Sequence, residues 1–413
     1  MPQSKKKLYR RKDLSSRLAK TKLAALSGAA EIVKEGATVR PTHVQVDLGA
    51  IRHNIIQIRR RLKPSTRLTA VVKANAYGHG AIPVSRAALA AGADSLAVAL
   101  PEEGVELRDA GFTVPILVLG LTLPEQASVL VEYDLTATVC TEDGLKALAH
   151  AARCAGKRAR VMVKADTGMG RIGLTSDKLL PFLTAAAAMP EIELRGLFTH
   201  LATADAADKS YARRQLAAFT AILDQAAAAG ILLPYISAAN SATVIDIVDG
   251  HFNTVRPGIA IYGLPPSLEM HQSLDLRPAM EFKTRIVYIK EVPAGFAVSY
   301  GCTYVTPQAT FLATLPVGYA DGYSRHLSNK ACVLIGGKRR PVVGRICMDQ
   351  TIVDLGPVCD AAVGDEAVLF GRQGDAEITV TELAELAGTI NYELVCGISG
   401  RVPRLYVNDG DER

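Results

Sequence analysis

The sequence predicts an α/β protein: a (β/α)8 barrel of the TIM type followed by a mostly-β C-terminal domain. Three observations point there. Strand-like runs alternate with helix-forming segments from Val44 to Gly258, as parallel βα units require. Chemically versatile side chains recur at the C-terminal ends of those runs, where a barrel assembles its site. Beyond Gly263 the chain turns to short β-rich runs punctuated by glycine and proline, as in a compact β domain.

The first run, Val44 to Leu48, leads into an amphipathic segment from Ala50 to Leu62. Eight more runs follow: Leu68 to Lys73, Ser95 to Leu100, Ile116 to Leu119, Thr136 to Cys140, Arg160 to Ala165, Leu194 to His200, Tyr235 to Ala239 and Thr254 to Gly258. Eight strands close a barrel. The alanine-rich stretches Leu179 to Ala188 and Ala212 to Ala229 form helices readily and are long enough to cross back over a sheet. An open doubly wound sheet alternates too. The positions of Lys73, Arg171, His200, Asn240, Ser241 and Arg256, at or just past the strand ends, favour the barrel. Pro265-Pro266 and the polar stretch to Arg277 read as a linker. Then come Arg285 to Lys290, Ala309 to Leu315, Ala331 to Ile335, Gln350 to Leu355 and Glu366 to Phe370, with a helical insert at Thr381 to Leu386. The expected division is a basic extension over 1–40, a barrel over 41–277 and a β domain over 278–413.

With 413 residues, 49% of them hydrophobic and 21% charged, the chain can bury a large core in two or three domains. No run approaches the roughly 20 apolar residues needed to span a bilayer, so no membrane segment is expected. The net charge of +6 is unevenly spread. Residues 1–40 hold 11 Lys and Arg against 3 Asp and Glu, a net +8, while the other 373 residues hold 36 against 38, a net −2. The body therefore has no basic excess suited to nucleic acid. The extension, with Lys5-Lys-Lys7 and Arg10-Arg-Lys12, is too charged for a secretory signal and reads as a flexible arm, with targeting or anionic-surface binding left open. The seven cysteines are odd in number and scattered. They read as reduced thiols of a cytoplasmic protein, with no metal site.

The stretch Ala70-Val-Val-Lys-Ala-Asn-Ala-Tyr-Gly-His-Gly80 is the most informative. A lysine ending an apolar strand is desolvated, which lowers its pKa and frees the amine as nucleophile or base. Alone, Lys73 also fits an edge lysine reaching into water. The polar groups and bare backbone of Asn75, Tyr77, Gly78, His79 and Gly80 suit a phosphate-bearing ligand better. Further segments are Lys164-Ala-Asp-Thr-Gly-Met-Gly-Arg-Ile-Gly173, Ala239-Asn-Ser-Ala242, Val255-Arg-Pro-Gly-Ile-Ala-Ile-Tyr-Gly263, Val298-Ser-Tyr-Gly-Cys-Thr-Tyr304 and Gly344-Arg-Ile-Cys-Met-Asp349.

These segments, in this order, resemble the alanine racemase family from about Val44 to the C-terminus. The resemblance implies a homodimeric, pyridoxal 5'-phosphate-dependent enzyme that interconverts L-alanine and D-alanine and supplies D-alanine for peptidoglycan. It also implies that the first strand joins the second domain. By the same resemblance Lys73 holds the cofactor and is the base that takes the α-proton from D-alanine, and Tyr300 is the base that takes it from L-alanine, each serving one face of the α-carbon. Tyr77, Ser241, Gly258 and Ile259 would hold the phosphate, with Asn240 beside them, though Ser241 alone reads as a helix N-cap. Arg256 would face the ring nitrogen, and His200 would lie between it and the tyrosine, the two together stabilising the phenolate.

Arg171 would take the substrate carboxylate, a role that suits a bidentate guanidinium. Strand alternation turns Lys164 inward, where an unpaired ammonium beside Arg171 is costly. The family resolves this by carbamylating the lysine; a salt bridge to Asp166 is the other solution. Tyr319 and Met348 match positions that narrow the entrance and contact substrate, and in the family they and Tyr300 come from the partner subunit. Gly400 stands where some members have a tyrosine, which removes one expected phosphate contact. The rival readings are a racemase of larger amino acids, a decarboxylase of the same fold, and a noncatalytic cofactor-binding protein. The pairing of Tyr300 with Arg256 argues against the second, and the long β domain against the third.

Overall fold

A computed structural model describes residues 40–410. The N-terminal extension and its expected flexibility lie outside them, apart from Arg40. The chain enters through β1 (His43–Asp47), whose alternating burial matches a strand with one covered face. It passes into α1 (Leu48–Arg61), capped by Asp47, whose carboxylate accepts the Ala50 N–H at 3.0 Å. Ile51, Ile55 and Ile58 bury one face of α1, and Arg59, Arg60 and Arg61 end it favourably for the helix dipole.

The barrel follows as β2 (Arg67–Val71), α2 (Ala81–Ala90), β3 (Ser95–Val98), α3 (Pro101–Asp109), β4 (Ile116–Leu121), α4 (Ala127–Glu132), β5 (Thr136–Val139) and α5 (Glu142–Ala155). It continues with β6 (Ala159–Lys164), α6 (Ser176–Ala188), β7 (Ile192–Phe198), α7 (Ser210–Ala228), β8 (Tyr235–Ser237), α8 (Ser241–Asp246) and β9 (Thr254–Val255). The eight strands run parallel in the order β8-β7-β6-β5-β4-β3-β2-β9. Between β8 and β9 two hydrogen bonds bridge the remaining gap. The Arg256 N–H donates to the Ala239 carbonyl at 2.9 Å, and the Ile236 N–H to Asn253 Oδ1 at 2.8 Å. All eight strands fall within the runs expected from sequence, to within a few residues. One end differs: β2 stops at Val71, so Lys73 opens the following turn.

The rest of the chain builds a seven-stranded sheet, a three-stranded sheet and a two-stranded hairpin. In the largest, β1 pairs antiparallel with Met280–Arg285 and parallel with Arg404–Val407. The single run expected at Arg285 to Lys290 is two strands. The chain breaks at Ile286-Val287, and Met280–Arg285 and Tyr288–Val292 enter different sheets. The helical insert is Val380–Ala387, and a second short helix, Asn391–Cys396, follows it. All seven cysteines are free. Among the described residues no helix is long and apolar enough to cross a membrane, and no cluster of three metal-ligating side chains occurs.

Candidate active site

Lys73 begins a turn with unusual backbone. Ala74, Asn75, Ala76 and Tyr77 all have φ near +52°, a left-handed turn that costs roughly 1–2 kcal/mol per non-glycine residue. Its hydrogen bonds offset that strain. The Ala74 N–H donates to Glu103 Oε1 at 2.6 Å, the Ala81 N–H to Asn75 Oδ1 at 2.7 Å, and the Gly80 N–H to the Asn75 carbonyl at 2.9 Å. Gly78 and Gly80 are needed because a Cβ there would strike the Val395 carbonyl and the Tyr406 hydroxyl. The turn presents a half-buried Lys73 whose pKa is lowered by burial and then by the charge of Arg171, against an opposing pull from Glu103.

Around this amine lie three more cations. Arg171 is exposed, on a loop that Asp166 holds by accepting the N–H groups of Gly168 at 3.0 Å and Gly170 at 3.1 Å. Asp166 is thereby committed to backbone and forms no salt bridge with Lys164, which removes that alternative. Lys164 is 2% exposed, its Nζ has no hydrogen-bond partner among the described residues, and it sits 4.6 Å from the centre of the Phe198 ring. Burial, then Arg256 and Arg171, hold its pKa well below the usual lysine range. Arg256 is buried, donating to Ser237 Oγ and, at 2.8 Å, to the Thr199 carbonyl. Burial and Arg171 push it down to about 9, so it stays charged at neutral pH.

His200 joins this group, and its charge differs from expectation. Burial, then Arg256, Lys164, Arg171 and Lys73, push it well below its usual value, so the imidazole is neutral at pH 7. Of the two groups expected to stabilise a phenolate by charge, only Arg256 carries one.

Beside the cations lies a polar cradle. Ser241 is the first residue of α8, and Asn240 is the N-cap, its Oδ1 accepting the Thr243 N–H at 3.0 Å. The N-cap reading of Ser241 is therefore set aside. Its Oγ instead accepts the N–H groups of Gly258 at 2.9 Å and Ala260 at 3.3 Å. Tyr77 reaches the same place: a Cβ on Gly258 would lie 2.5 Å from its hydroxyl oxygen. Ile259 begins the short helical turn Ile259–Tyr262 that follows. Tyr77 is braced by Tyr262 at 4.8 Å between ring centres, and the Tyr262 hydroxyl donates to the Val71 carbonyl at 2.8 Å.

Tyr300, Tyr319 and Met348 are elsewhere, on the β domain, at 70%, 42% and 53% exposure. They share one face. Ser299 Oγ donates to the Arg345 carbonyl at 2.6 Å, and the N–H groups of Tyr319 and Ala320 donate to the carbonyls of Cys347 at 3.0 Å and Met348 at 3.1 Å.

Family models described as the alanine racemase N-terminal domain and C-terminal domain match residues 46–266 and 279–406. The alanine racemase of Halothermothrix orenii is 48% identical over 369 residues, 89% of this chain and 97% of that protein. The chain belongs to the alanine racemase family. A crystal structure of alanine racemase from Bacillus anthracis with bound L-Ala-P superposes with a TM-score of 0.86 at 40% identity, covering 91% of this chain and 97% of that one. The histidine racemase of Leuconostoc mesenteroides subsp. sake also superposes, with a TM-score of 0.82 at 29% identity over 91% of this chain and all of the other.

Within this alanine racemase fold several supporting residues escaped the sequence reading. Glu103 reads as an ordinary capping glutamate at the third position of α3. Its Oε2 does accept the Ala99 and Leu100 N–H groups, at 2.7 and 3.1 Å, but its other oxygen holds the lysine turn. Ser237, Thr199 and Phe198, which brace Arg256 and Lys164, lie at the ends of β8 and β7; their place at strand ends was the available signal. Gly400 has open space where a Cβ would stand.

Proposed function

We propose that this chain interconverts L-alanine and D-alanine as a cytoplasmic homodimer using pyridoxal 5'-phosphate. The observation that carries this reading is the convergence of Lys73, Lys164, Arg171 and Arg256 on one place, with Glu103 the one carboxylate acting on Lys73. Such an excess of positive charge is stable only beside anions, and a phosphorylated cofactor with a carboxylate substrate supplies them. The cradle fits the phosphate. Gly258 has no side chain to block it, and the Ser241 and Tyr77 hydroxyls both lie beside its backbone; the N–H groups of Gly258, which now donates to Ser241, and of Ile259 would turn to the phosphate.

Bound covalently to Lys73, the cofactor would withdraw electrons and acidify the substrate α-hydrogen. Arg256 would hold the ring nitrogen without giving it a proton, which keeps that withdrawal modest and favours racemisation over side reactions. Arg171 would orient the substrate carboxylate by two parallel hydrogen bonds. Lys73, with its lowered pKa, would take or return the proton on one face. Tyr300 of a second copy would serve the other face, and Tyr319 and Met348 of that copy would narrow the entrance. Carbamylation would convert Lys164 from an orphaned buried cation into an anion facing Arg171.

Polarimetry of either alanine enantiomer, run beside serine, histidine and lysine, tests this. Racemisation of alanine far above the others is the expected result. The histidine racemase of the same fold supports the second reading, a racemase of broader specificity, which comparable rates on larger amino acids would establish.

A further inference from the structure

The Asp321 carboxylate is fully buried in a charged network below the outward face of the β domain. It accepts from Arg40 Nη1 at 2.6 Å, Arg401 Nε at 2.7 Å and the Gly318 N–H at 3.1 Å. The same Arg401 guanidinium donates from Nη2 to Asp349 Oδ1 at 2.5 Å. Asp321 lies two residues after Tyr319, and Asp349 one residue after Met348. One planar cation therefore ties together the two backbone segments that present the entrance side chains, which are also joined by hydrogen bonds between 319–320 and 347–348. A guanidinium bonded to two carboxylates fixes distance and orientation together, which a flexible ammonium does not.

The loop carrying Arg401 also touches this chain's own lysine turn. Arg404 donates from Nε to the Gly78 carbonyl at 3.1 Å and from its terminal nitrogens to the carbonyls of Ile398, Ser399 and Val402 at 2.6–2.8 Å. The Ser399 N–H donates to the Asp321 carbonyl at 3.1 Å. Arg401 is thus poised to act in either of two directions, inward on Lys73 of its own chain or outward on the face offered to a second copy. Its two side-chain bonds both run to the outward segments.

We infer that Arg401 is a positioning residue that sets Tyr319 and Met348 for substrate binding in the pocket of the partner subunit, and that it acts there and not on its own lysine. This rests on the shared-site racemase reading above. The network defines the entrance, so losing it loosens the fit of a small substrate more than the proton transfers behind it.

Mixed dimers carrying two different tags, loaded with cofactor, separate the two directions. In one, a Lys73→Ala chain is paired with an Arg401→Gln chain, so the single working lysine is completed by an intact face. In the other, one chain carries both substitutions and its partner neither, so the single working lysine is completed by the altered face. The first dimer should keep the KM for alanine of the unaltered enzyme. The second should show a KM raised about tenfold, the loss of one charge-assisted hydrogen bond, with kcat changed less than threefold and cofactor absorbance retained. Equal KM values in the two dimers, or the defect in the first only, overturn the inference. Should Arg401→Gln prevent folding, Asp349→Asn removes only the exposed end of the network, and the same asymmetry is expected. Arg401→Lys should recover little of the KM. Racemisation by a homodimer of Lys73→Ala chains, or none by the unaltered enzyme, would instead strike at the racemase reading and is seen separately.

Discussion

The lysine turn and the face bearing Tyr300, Tyr319 and Met348 are built in opposite ways. The turn is strained, left-handed over four residues and pinned from all sides, by Glu103, by Asn75 and by the Val395 carbonyl packed against Gly78. The face is exposed and held from beneath by a charged network around Asp321, with left-handed backbone at Ser299, Gly301 and Cys302 beside Tyr300. Burial in the first lowers the pKa of Lys73 and of Lys164, His200 and Arg256 around it, whereas exposure in the second leaves side chains available to another surface. On the proposed shared-site reading one chain holds half of each site. The inner half then carries the four-residue left-handed turn and the lowered lysine pKa, and a second copy supplies the other half.

The sharpest way to break the comparison is to remove the centre of the inner half. Lys73→Ala should reduce racemisation by more than about 10⁴-fold, since on the proposed mechanism it deletes both the covalent attachment and one base, while sedimentation still reports the same oligomer. Residual activity within about 100-fold of the unaltered enzyme would place the chemistry on another group.

Tyr300→Phe probes the outer half and should give a directional defect. Because equilibrium makes the two overall rates fall together, exchange in deuterated water is the informative measurement. The variant should still wash the α-hydrogen out of D-alanine while incorporating roughly 10²-fold less deuterium into L-alanine, the scale of losing a positioned general base. Equal losses on both enantiomers would reject two bases and indicate a collapsed pocket.

The two halves also differed in how legible they were. The barrel strands were read from alternation and length because tertiary packing follows the same periods. The residues of the proposed inner site stood out because Lys73, Arg171, Ser241 and Arg256 stand at or past strand ends, where a barrel gathers its chemistry. The left-handed turn was not, since Ala74-Asn-Ala-Tyr77 contains no glycine and nothing local asks for positive φ. The hidden part of Glu103 is its bond to Ala74 on the neighbouring strand-to-helix connection. The Asp321–Arg401 pair joins residues 80 positions apart in the sequence, a distance at which neither spacing nor periodicity carries a signal. His200 was expected to contribute charge, and only its assembled surroundings, three other cations and Arg256 among them, reveal why it is neutral.

A stability measurement sharpens the contrast at His79, buried completely behind the lysine turn. Its Nδ1 lies 3.1 Å from the Ala76 carbonyl and 3.0 Å from that of Tyr77, so Nδ1 carries the proton, and Nε2 has no partner among the described residues. Burial lowers the pKa from 6.5 to about 4. Between those values the unfolded chain binds a proton that the folded chain refuses. The contribution to stability is therefore whole above pH 6.5 and is lost as the pH falls toward 4, by about 3 kcal/mol in all. Denaturant midpoints at pH 7 and pH 4.5 should converge for His79→Gln relative to the unaltered chain. An identical pH dependence in both would show that other buried groups govern acid unfolding.

The smallest effect belongs to the far end of the network, at Arg40. By charge Arg40 counts with the extension, yet its guanidinium is bonded to the buried Asp321 and, at 3.3 Å, to the Pro316 carbonyl. The 39 residues before it should be dispensable for chemistry, because the family match begins at residue 46 and the net charge of the remaining chain is near zero. Deleting residues 1–39 should leave kcat/KM within about threefold, since no positioned group is lost. Adding Arg40→Ala to that deletion removes one of two cations from a buried carboxylate, which keeps Arg401 and the Gly318 N–H. The cost should be about 1–2 kcal/mol of stability, the worth of a hydrogen bond to a charged group, read as a lower denaturant midpoint. KM should rise only slightly, because Arg401 still joins Asp321 to Asp349. If deleting 1–39 alone destabilised the protein as much as the combined change, the boundary between extension and body would lie before Arg40, and the outward face would draw its support from further along the arm.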